Sequence, residues 1–409
     1  MIVQGGQMNL RHLRAFVEVC NHGGISAASG AVHLSQPAIT QAIAKLEEGF
    51  GLPLFTRSSK GMFATAAAKI LLHRAQRAFD MLKSAAPKVP ASGQSCAAGA
   101  YVDLLTSTQL RALIAVAAYG NFSVAARVNG VSQPSLYRTA KSLEALAGQS
   151  FYIKSSKGID LSPAALILVR AARLAFAELD QAITDIAHSK GETTGILRLG
   201  SLPLSRGTIL PPALNRLAQI YPRLNVQVSD GSYDEMLHGL RHGEIDLLLG
   251  ALRDPAPAPD VIQEPLFEDH LGVFCGPNHP LVGQPVPGRA ELAGYSWVVT
   301  RGGSPTRAHF DRFFADLDLS DPQGARRGAI LESNALILIR ELLQGSERLA
   351  MISANQLRSE VAIGGLHQLP IVLNDKPRPI GMTYRADWQP TKTQSELLCI
   401  LRETAVAMG

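Results

Sequence analysis

Two short segments carry hydrogen-bonding side chains at spacings that suit recognition of another polar molecule. The first consists of Ser35, Gln36, Pro37, Ala38, Thr40, Gln41 and Lys45. The second consists of Ser132, Gln133, Pro134, Ser135, Tyr137, Arg138 and Lys141. Gln can pair with the edge of adenine, Thr can contact a thymine methyl group, and Arg and Lys can bind guanine or phosphate. The chemistry that these residues favour is therefore nucleic-acid recognition.

Motifs that would indicate catalysis or metal binding do not occur. There is no GxSxG, no HExxH, no GxxxxGK[ST] and no GxGxxG after a strand. The cysteines are far apart and form no CxxC pair, which argues against a zinc site or a disulfide framework; they are Cys20, Cys96, Cys275 and Cys399. We expect no enzyme activity, no catalytic residue, no metal and no cofactor.

The charge is distributed unevenly along the chain. Residues 1–190 contain 19 Lys and Arg against 10 Asp and Glu, a net charge of +9, whereas the rest of the chain carries −4. A basic front half favours a polyanionic partner, although charge alone does not choose between nucleic acid and a membrane surface. No signal peptide or membrane-spanning stretch is recognisable, so we expect a cytoplasmic protein with no membrane contact.

The two segments belong to an ungapped internal repeat with an offset of 97 positions. At this offset Leu13-Arg14-Ala15 falls on Leu110-Arg111-Ala112, Ser58 to Gly61 falls on Ser155 to Gly158, and Phe79 falls on Phe176. Matches continue in one register from Leu13 to Phe79, which chance does not produce. A duplicated unit must therefore position both sets of polar residues.

Periodicity predicts what one repeat builds. Leu13, Phe16, Val17 and Cys20 share one face of a first helix that Gly23-Gly24 ends. We expect Ser26 to cap a short second helix, and Ser35 to cap a third helix with Pro37 in its first turn. Ile39, Ile43 and Leu46 then point inward, and Gln36, Thr40, Gln41 and Lys45 point outward. A hairpin follows in each repeat, with a basic tip that suits phosphates, formed by Arg57, Ser58 and Lys60 and by Lys154 and Lys157.

This arrangement resembles a known family. The run GGISAASGAVHLSQPAITQAIAKLEEGFGLPLFTRSSKG is similar to the N-terminal winged helix-turn-helix of LysR-type transcriptional regulators. The matching positions are Ala27-Ala28, Ser35 to Ala38, Thr40, Ile43, Leu46-Glu47, Gly51, Leu54-Phe55 and Arg57. Ala68 and Ala165 stand where the family usually has Gly. The resemblance implies that the first copy binds promoter DNA through its third helix and its hairpin.

The second copy departs further from the family pattern. Phe151 to Lys154 replaces the Leu-Phe-Thr-Arg of the first copy, and Ala140 stands where the first copy has Ile43. Two interpretations are open. In the one we favour, the second copy also contacts DNA, through Ser132, Gln133, Ser135, Tyr137, Arg138, Lys141, Lys154 and Lys157. In the other, it is a packing or dimerisation module and only the first copy binds DNA.

A long Ala-rich helix is predicted after each copy, over residues 65–85 and 162–189, and each carries an apolar stripe. The resemblance implies antiparallel pairing of this helix between two subunits; the alternative is packing against its own domain. We expect four regions. They are 1–86 (DNA-binding domain and linker helix), 87–102 (flexible linker), 103–190 (second winged helix-turn-helix-like domain and long helix) and 191–409 (effector-binding domain).

From Gly191 onward, strands and helices alternate, which predicts parallel sheets covered by helices. The pattern resembles a two-lobed α/β domain of the type 2 periplasmic-binding-protein fold, which is also the effector domain of LysR-type regulators. Ligands bind at the carboxyl ends of strands in such folds. The predicted effector-binding residues are Ser201, Leu202, Pro203, Ser205, Thr300, Arg301, Ser304, Ser333 and Asn334. Helix capping is the alternative role for each Ser.

The resemblance also implies a mechanism and partners. Arg301 and free backbone N–H groups favour an anionic effector, and the stretch GSLPLSRGTILP resembles regulators of sugar and aromatic-acid catabolism. We expect a homodimer or homotetramer on double-stranded promoter DNA, a small-molecule effector that shifts the lobe arrangement, and RNA polymerase as a further candidate partner.

Overall fold

The computed structural model describes residues 5–32, 34–58, 61–85, 100–156, 158–315, 317, 328–373 and 376–407. The first repeat forms α1 (Leu10–His22), α2 (Ile25–Val32), α3 (Gln36–Phe50), β1 (Phe55–Ser58), β2 (Gly61–Ala64) and α4 (Ala66–Ala85). The second forms α5 (Ser107–Tyr119), α6 (Phe122–Val128), α7 (Gln133–Ala147), β3 (Tyr152–Ser155), β4 (Gly158–Leu161) and α8 (Pro163–Ser189). Most of the predicted flexible linker lies outside the described residues.

Local signals in the sequence set the ends of these helices. Asn9 caps α1, where its side chain accepts hydrogen bonds from two backbone N–H groups, and Gly23 ends α1 with a left-handed φ of 70°. The prediction for Ser26 is wrong, because α2 already begins at Ile25 and places Ser26 inside the helix. Ser35 does occupy the N-cap position of α3, although its side chain forms no capping hydrogen bond.

The two repeats share one hydrophobic core. Buried side chains of α1 and α4 lie in the same cluster as buried side chains of α5 and α8, including Phe16, Leu71, Leu110 and Leu168. The helices α4 and α8 pack against each other along their lengths. Our sequence interpretation placed the partner of each long helix in a second subunit or in its own domain; here each finds its partner in the other repeat of the same chain.

The C-terminal domain begins with β5 (Gly195–Ser201) and ends with α16 (Lys392–Val406). Its strands are β6 (Leu224–Asp230), β7 (Leu247–Ala251), β8 (Val261–Asp269), β9 (Leu271–Cys275), β10 (Ser296–Val299), β11 (Ile330–Glu332), β12 (Arg348–Ser353), β13 (His367–Leu369) and β14 (Arg378–Arg385). Its other helices are α9 (Pro203–Gly207), α10 (Leu210–Ile220), α11 (Tyr233–Arg241), α12 (Arg289–Gly294), α13 (Pro305–Phe313), α14 (Leu336–Gln344) and α15 (Arg358–Ala362).

These strands form two five-stranded sheets, one in each lobe. Lobe I has the order β6-β5-β7-β14-β8 and lobe II the order β11-β10-β12-β9-β13. The βαβ strands of each lobe pair in parallel, as predicted, whereas β14 and β9 pair antiparallel with their neighbours. The chain crosses between lobes after β8 and returns before β14. No helix in the described part of the chain is long and apolar enough to cross a membrane.

Candidate DNA interface and effector cleft

The third helix of the first copy, α3, presents the predicted polar face. Gln36, Thr40 and Gln41 are exposed, while Ile39 and Ile43 are buried on the opposite side. The amide of Gln36 donates a hydrogen bond to the Ser26 hydroxyl over 3.3 Å, which ties α3 to α2. This contact gives Ser26 a role in joining the two helices of the motif.

Other predicted residues of the first copy flank this face. Ser35, Pro37 and Lys45 are exposed and Ala38 is partly buried. Lys45 lies 2.8 Å from the Glu48 carboxylate, and this hydrogen bond raises the pKa of Lys45. Three predicted contacts lie outside the part of the chain that the structure describes. They are the side chains of Arg57 and Ser58, whose backbones belong to β1, and the whole of Lys60.

The second copy repeats the construction of the first. The Ser123 hydroxyl donates to the Gln133 side chain over 2.7 Å, at positions equivalent to Ser26 and Gln36. Here the N-cap is complete, because the Ser132 hydroxyl accepts from the backbone N–H of Ser135. Ser132 and Gln133 are exposed and Ser135 is partly buried. The second copy is therefore a helix-turn-helix with the same internal joint.

A carboxylate braces each recognition helix against its hairpin. Glu47 Oε1 accepts from the backbone N–H groups of Leu54 and Phe55, at 2.7 and 3.3 Å. Glu144 Oε1 accepts from those of Phe151 and Tyr152, at 2.7 and 3.1 Å. Burial alone would raise the pKa of Glu144, but hydrogen bonds from Lys141 and the two backbone N–H groups hold it below its usual value.

The exposed face of α7 is basic and aromatic. Tyr137, Arg138 and Lys141 are all exposed, and the Lys141 ammonium lies 5.7 Å from the centre of the Tyr137 ring. Tyr137 also packs edge-on against Phe122 of α6. Lys154 is exposed on β3, and Lys157 lies outside the described residues. At the positions equivalent to Tyr137 and Arg138, α3 has the uncharged Thr40 and Gln41.

The predicted effector residues of lobe I lie at the end of β5 and the start of α9. Ser201 is fully buried, and its hydroxyl has no hydrogen-bond partner among the described residues. Leu202 and Pro203 are partly buried at the start of α9. Ser205 is also buried, and its hydroxyl lies 2.8 Å from the carbonyl oxygen of Leu202 and 3.0 Å from that of Leu249, either of which can accept its proton. The C-terminal end of α9 faces lobe II, where a Cβ at Gly207 would lie 3.8 Å from Leu336.

The predicted effector residues of lobe II form two linked pairs. The hydroxyls of Thr300 and Ser304 lie 2.8 Å apart, and Ser304 also caps α13. The backbone N–H of Arg301 donates to the Asn334 side chain over 3.0 Å, and the Arg301 side chain is exposed. Ser333 is buried, and its hydroxyl accepts from the N–H of Ala335. The structure thus brings the two strand-end loops of lobe II together.

A pocket of about 580 Å³ opens beside these loops. Gly302, Gly303, Ser304 and Arg307 line it from lobe II, and Arg253 lines it from the loop after β7 in lobe I. Arg307 pairs with Asp311 over 2.8 Å. Sequence reasoning missed Arg253, which lies in the loop between β7 and β8 within lobe I. Arg253 lies 4.3 Å from the centre of the Tyr233 ring and brings positive charge to the cleft.

Comparison with known families decides the identity of this architecture. The model of bacterial regulatory helix-turn-helix proteins of the lysR family matches residues 10–69 and again 107–166. The model of the LysR substrate binding domain matches residues 190–405. The chain belongs to the LysR family. It is a DNA-binding transcriptional regulator rather than an enzyme, and its helix-turn-helix domain is duplicated.

Relatives of this LysR regulator include proteins of the same length and of shorter length. GalR, a helix-turn-helix transcriptional regulator of Pseudomonas putida, is 32% identical over 398 residues, which cover 97% of both chains. PcaQ of Agrobacterium fabrum is 26% identical over 297 residues, which cover 72% of this chain and 94% of PcaQ.

Solved structures support the fold. ArgP of Mycobacterium tuberculosis aligns with a TM-score of 0.55 at 17% identity, over 73% of this chain and 96% of ArgP. A full-length OxyR variant of Pseudomonas aeruginosa aligns with a TM-score of 0.53 at 20% identity, over 73% of this chain and 93% of OxyR. The LysR architecture of helix-turn-helix and two-lobed effector domain is therefore that of this chain.

Proposed function

We propose that both helix-turn-helix copies of this regulator read DNA bases. The observation that carries this proposal is the repeated internal joint: the Ser–Gln bond between helices and the Glu brace to the hairpin occur in both copies. A copy that packed its outer face against the rest of its own chain would bury that face. Instead Tyr137, Arg138 and Lys141 are exposed and provide stacking and hydrogen-bond donors.

The test is selection of a random-sequence duplex library with the full-length protein and with two variants. Gln41→Ala and Arg138→Ala should each relax base preference at a different part of the enriched sequence, by about 1–3 kcal/mol of discrimination. Lys83→Ala, which removes an exposed positive charge from α4, is the matched control and should leave the enriched sequence unchanged. If Arg138→Ala also left it unchanged, the second copy would not read bases.

We propose that the effector is a small anionic molecule held between the lobes. Support comes from Arg253, Ser304 and the start of α13, which line one pocket, and from the Thr300 hydroxyl, which is hydrogen-bonded to that of Ser304. Arg301 is exposed on the loop directly before this lining. We propose that the remaining predicted effector-binding residues contribute to the same cleft. An effector that binds one lobe arrangement more tightly would shift the equilibrium between arrangements and so change the DNA complex.

A thermal-unfolding screen with aromatic and sugar carboxylates tests this proposal. A ligand at about 100 times its dissociation constant should stabilise the protein by about 2.7 kcal/mol. Arg301→Ala and Arg253→Ala should each reduce that stabilisation, whereas Arg216→Ala, an exposed arginine of α10 paired with Glu403, should not. A ligand that stabilises all three variants equally would place its site elsewhere.

We further propose that the protein acts in the cytoplasm as a homodimer or homotetramer on promoter DNA, with RNA polymerase as a candidate partner. Membership of a family of DNA-binding regulators supports this proposal. We also propose that the chain divides into four regions, namely residues 1–86, 87–102, 103–190 and 191–409. The family matches, which start at residues 10, 107 and 190, support that division.

A further inference from the structure

The duplicated helices α4 and α8 form an antiparallel pair within one chain. The Arg74 guanidinium contacts Asp185, Gln181 and Glu178 of α8, and Arg77, one turn further along α4, contacts Glu178. A residue further along α4 therefore contacts an earlier part of α8, so the two helices run in opposite directions. Buried small side chains permit the close approach of the two helices; they are Ala75, Ala78, Ala171, Ala172 and Ala175.

A second contact shows that the two copies are related by an approximate two-fold axis. The backbone N–H of Leu10 meets the Ser107 hydroxyl over 3.3 Å, and the two residues are 97 positions apart, the offset of the repeat. Residues that are equivalent in two copies contact each other only close to a two-fold axis. Ser107 also donates to the Met8 carbonyl, and Arg14 donates to the carbonyl oxygens of Val102 and Leu105. The starts of α1 and α5 thus lie beside the axis.

We propose that one chain is a covalent pseudo-dimer that binds an asymmetric operator. In a dimer of identical helix-turn-helix domains the two recognition helices are identical, so the site is palindromic. Here one chain supplies both members of the pair, and their exposed faces differ: α3 has Thr40 and Gln41 where α7 has Tyr137 and Arg138. The DNA ligand of one chain is therefore a duplex with two unlike half-sites. This inference rests on the proposal that both copies read DNA.

Competition between three synthetic duplexes tests the asymmetry. The selection with the full-length protein, compared with those of Gln41→Ala and Arg138→Ala, identifies the DNA sequence element that depends on Gln41 and the element that depends on Arg138. The duplexes then carry, at the selected spacing, both elements, two copies of the first, or two copies of the second. We expect the mixed duplex to bind about tenfold more tightly than either palindrome, because each wrong base contact weakens binding. A palindrome that binds as tightly as the mixed duplex would overturn the proposal.

Stoichiometry tests whether the pair lies within one chain. The wild-type protein is titrated into the mixed duplex well above its dissociation constant and the complexes are weighed by native mass spectrometry. We expect one duplex per chain in any oligomeric state. One duplex per two chains would show that the DNA-binding pair of helix-turn-helix copies forms between two subunits, and this would overturn the inference.

The two proposals fail in different ways. If Arg138→Ala leaves every base preference unchanged in selection, the proposal that both copies read DNA fails first. If both variants change base preference but the stoichiometry is one duplex per two chains, only the pseudo-dimer is wrong. Because the stoichiometry uses the wild-type chain, no misfolded variant can produce a ratio of one duplex per two chains.

Discussion

At the scale of single residues, Glu47 and Glu144 have the same role in the two copies. Each carboxylate accepts hydrogen bonds from two consecutive backbone N–H groups where the chain enters the hairpin. Without an acceptor, these N–H groups would be left unpaired at a partly buried site, which is costly. The same residue type at the repeat offset therefore fixes the angle between recognition helix and hairpin in both copies.

Glu144→Gln tests this role through its pH dependence. Because the folded state lowers the pKa of Glu144, the ionised carboxylate contributes stability above its ordinary pKa of 4.5, and this contribution is lost as the pH falls through the folded pKa. At pH 7 we expect Glu144→Gln to lower the free energy of unfolding by about 1 kcal/mol, and Glu144→Ala by about 1–3 kcal/mol. Urea unfolding at pH 7 and at pH 4 measures both.

The matched control is Glu48→Gln, since Glu48 is an exposed carboxylate paired with Lys45. Glu48→Gln should leave the free energy of unfolding at pH 7 close to that of the wild type. A gap between the wild type and Glu144→Gln that is as large at pH 4 as at pH 7 would contradict the proposed role of the Glu144 charge.

The sequence predicts the positions of some functional residues but not of others. The outward positions of Gln36, Thr40 and Gln41 followed from helical periodicity, because a helix with one buried face must expose the other. Arg253 was missed, because its place at the pocket depends on the long-range meeting of two lobes. Local patterns carry no information on such a meeting.

At the scale of elements, the paired helices α4 and α8 enclose a buried cluster of charges. Arg74 and Glu178 are only 5% and 3% exposed, and Arg74 also contacts Asp185 at 2.9 Å. The same guanidinium donates to the carbonyl oxygen of Gln389 in the effector domain, and Arg77 donates to that of Asp387. One cluster thus joins both helix-turn-helix copies to the regulatory domain.

Arg74→Met should therefore be strongly destabilising. Removal of the guanidinium leaves the buried Glu178 and the partly buried Asp185 with fewer cationic partners, and we expect the free energy of unfolding to fall by about 3–5 kcal/mol. Lys83→Met removes an exposed cation from the same helix and should change it by less than about 0.5 kcal/mol. Denaturant unfolding followed by circular dichroism measures both, and equal effects would show that the cluster does not hold the helices together.

The sequence predicted both long helices within one or two residues of their ends but not their partner. An apolar stripe shows that a helix needs a partner, and identical stripes on α4 and α8 fit a partner in the same chain as well as one in another. What the sequence lacked was the relative position of the two copies. The contacts of Arg74 and of Leu10 supply that position.

At the scale of the whole molecule, the lobes of the effector domain are joined at a buried ion pair. Arg378 and Asp269 lie opposite each other on the two strands that cross between lobes and form a salt bridge. Asp269 also accepts hydrogen bonds from Ser353 and Asn355 of lobe II. The pattern of strands and helices resembled a two-lobed α/β domain, but this ion pair joins residues that are 109 positions apart, which local patterns do not reveal.

The ion pair of Arg378 and Asp269 marks the hinge between the lobes, and Arg378 connects this hinge to the pocket. Its guanidinium donates to the hydroxyl of Thr306 over 2.6 Å, and Thr306 lies in the first turn of α13, whose start lines the cleft. Thr306→Val removes the acceptor but leaves the buried pair of Arg378 and Asp269 intact. The bond joins a charged donor to a hydroxyl, so its loss should cost about 1.5–3 kcal/mol and loosen the start of α13.

Hydrogen–deuterium exchange of the full-length protein measures this loosening. We expect amides in the first turns of α13 to exchange about tenfold faster in Thr306→Val, since 1.4 kcal/mol corresponds to a factor of ten. Thr404→Val is the control, because Thr404 donates only within α16, to the carbonyl oxygen of Ile400. It should leave α13 unchanged. Unchanged exchange of α13 in Thr306→Val would mean that the hinge does not hold the pocket helix, and that lobe movement must reach the effector site through other contacts.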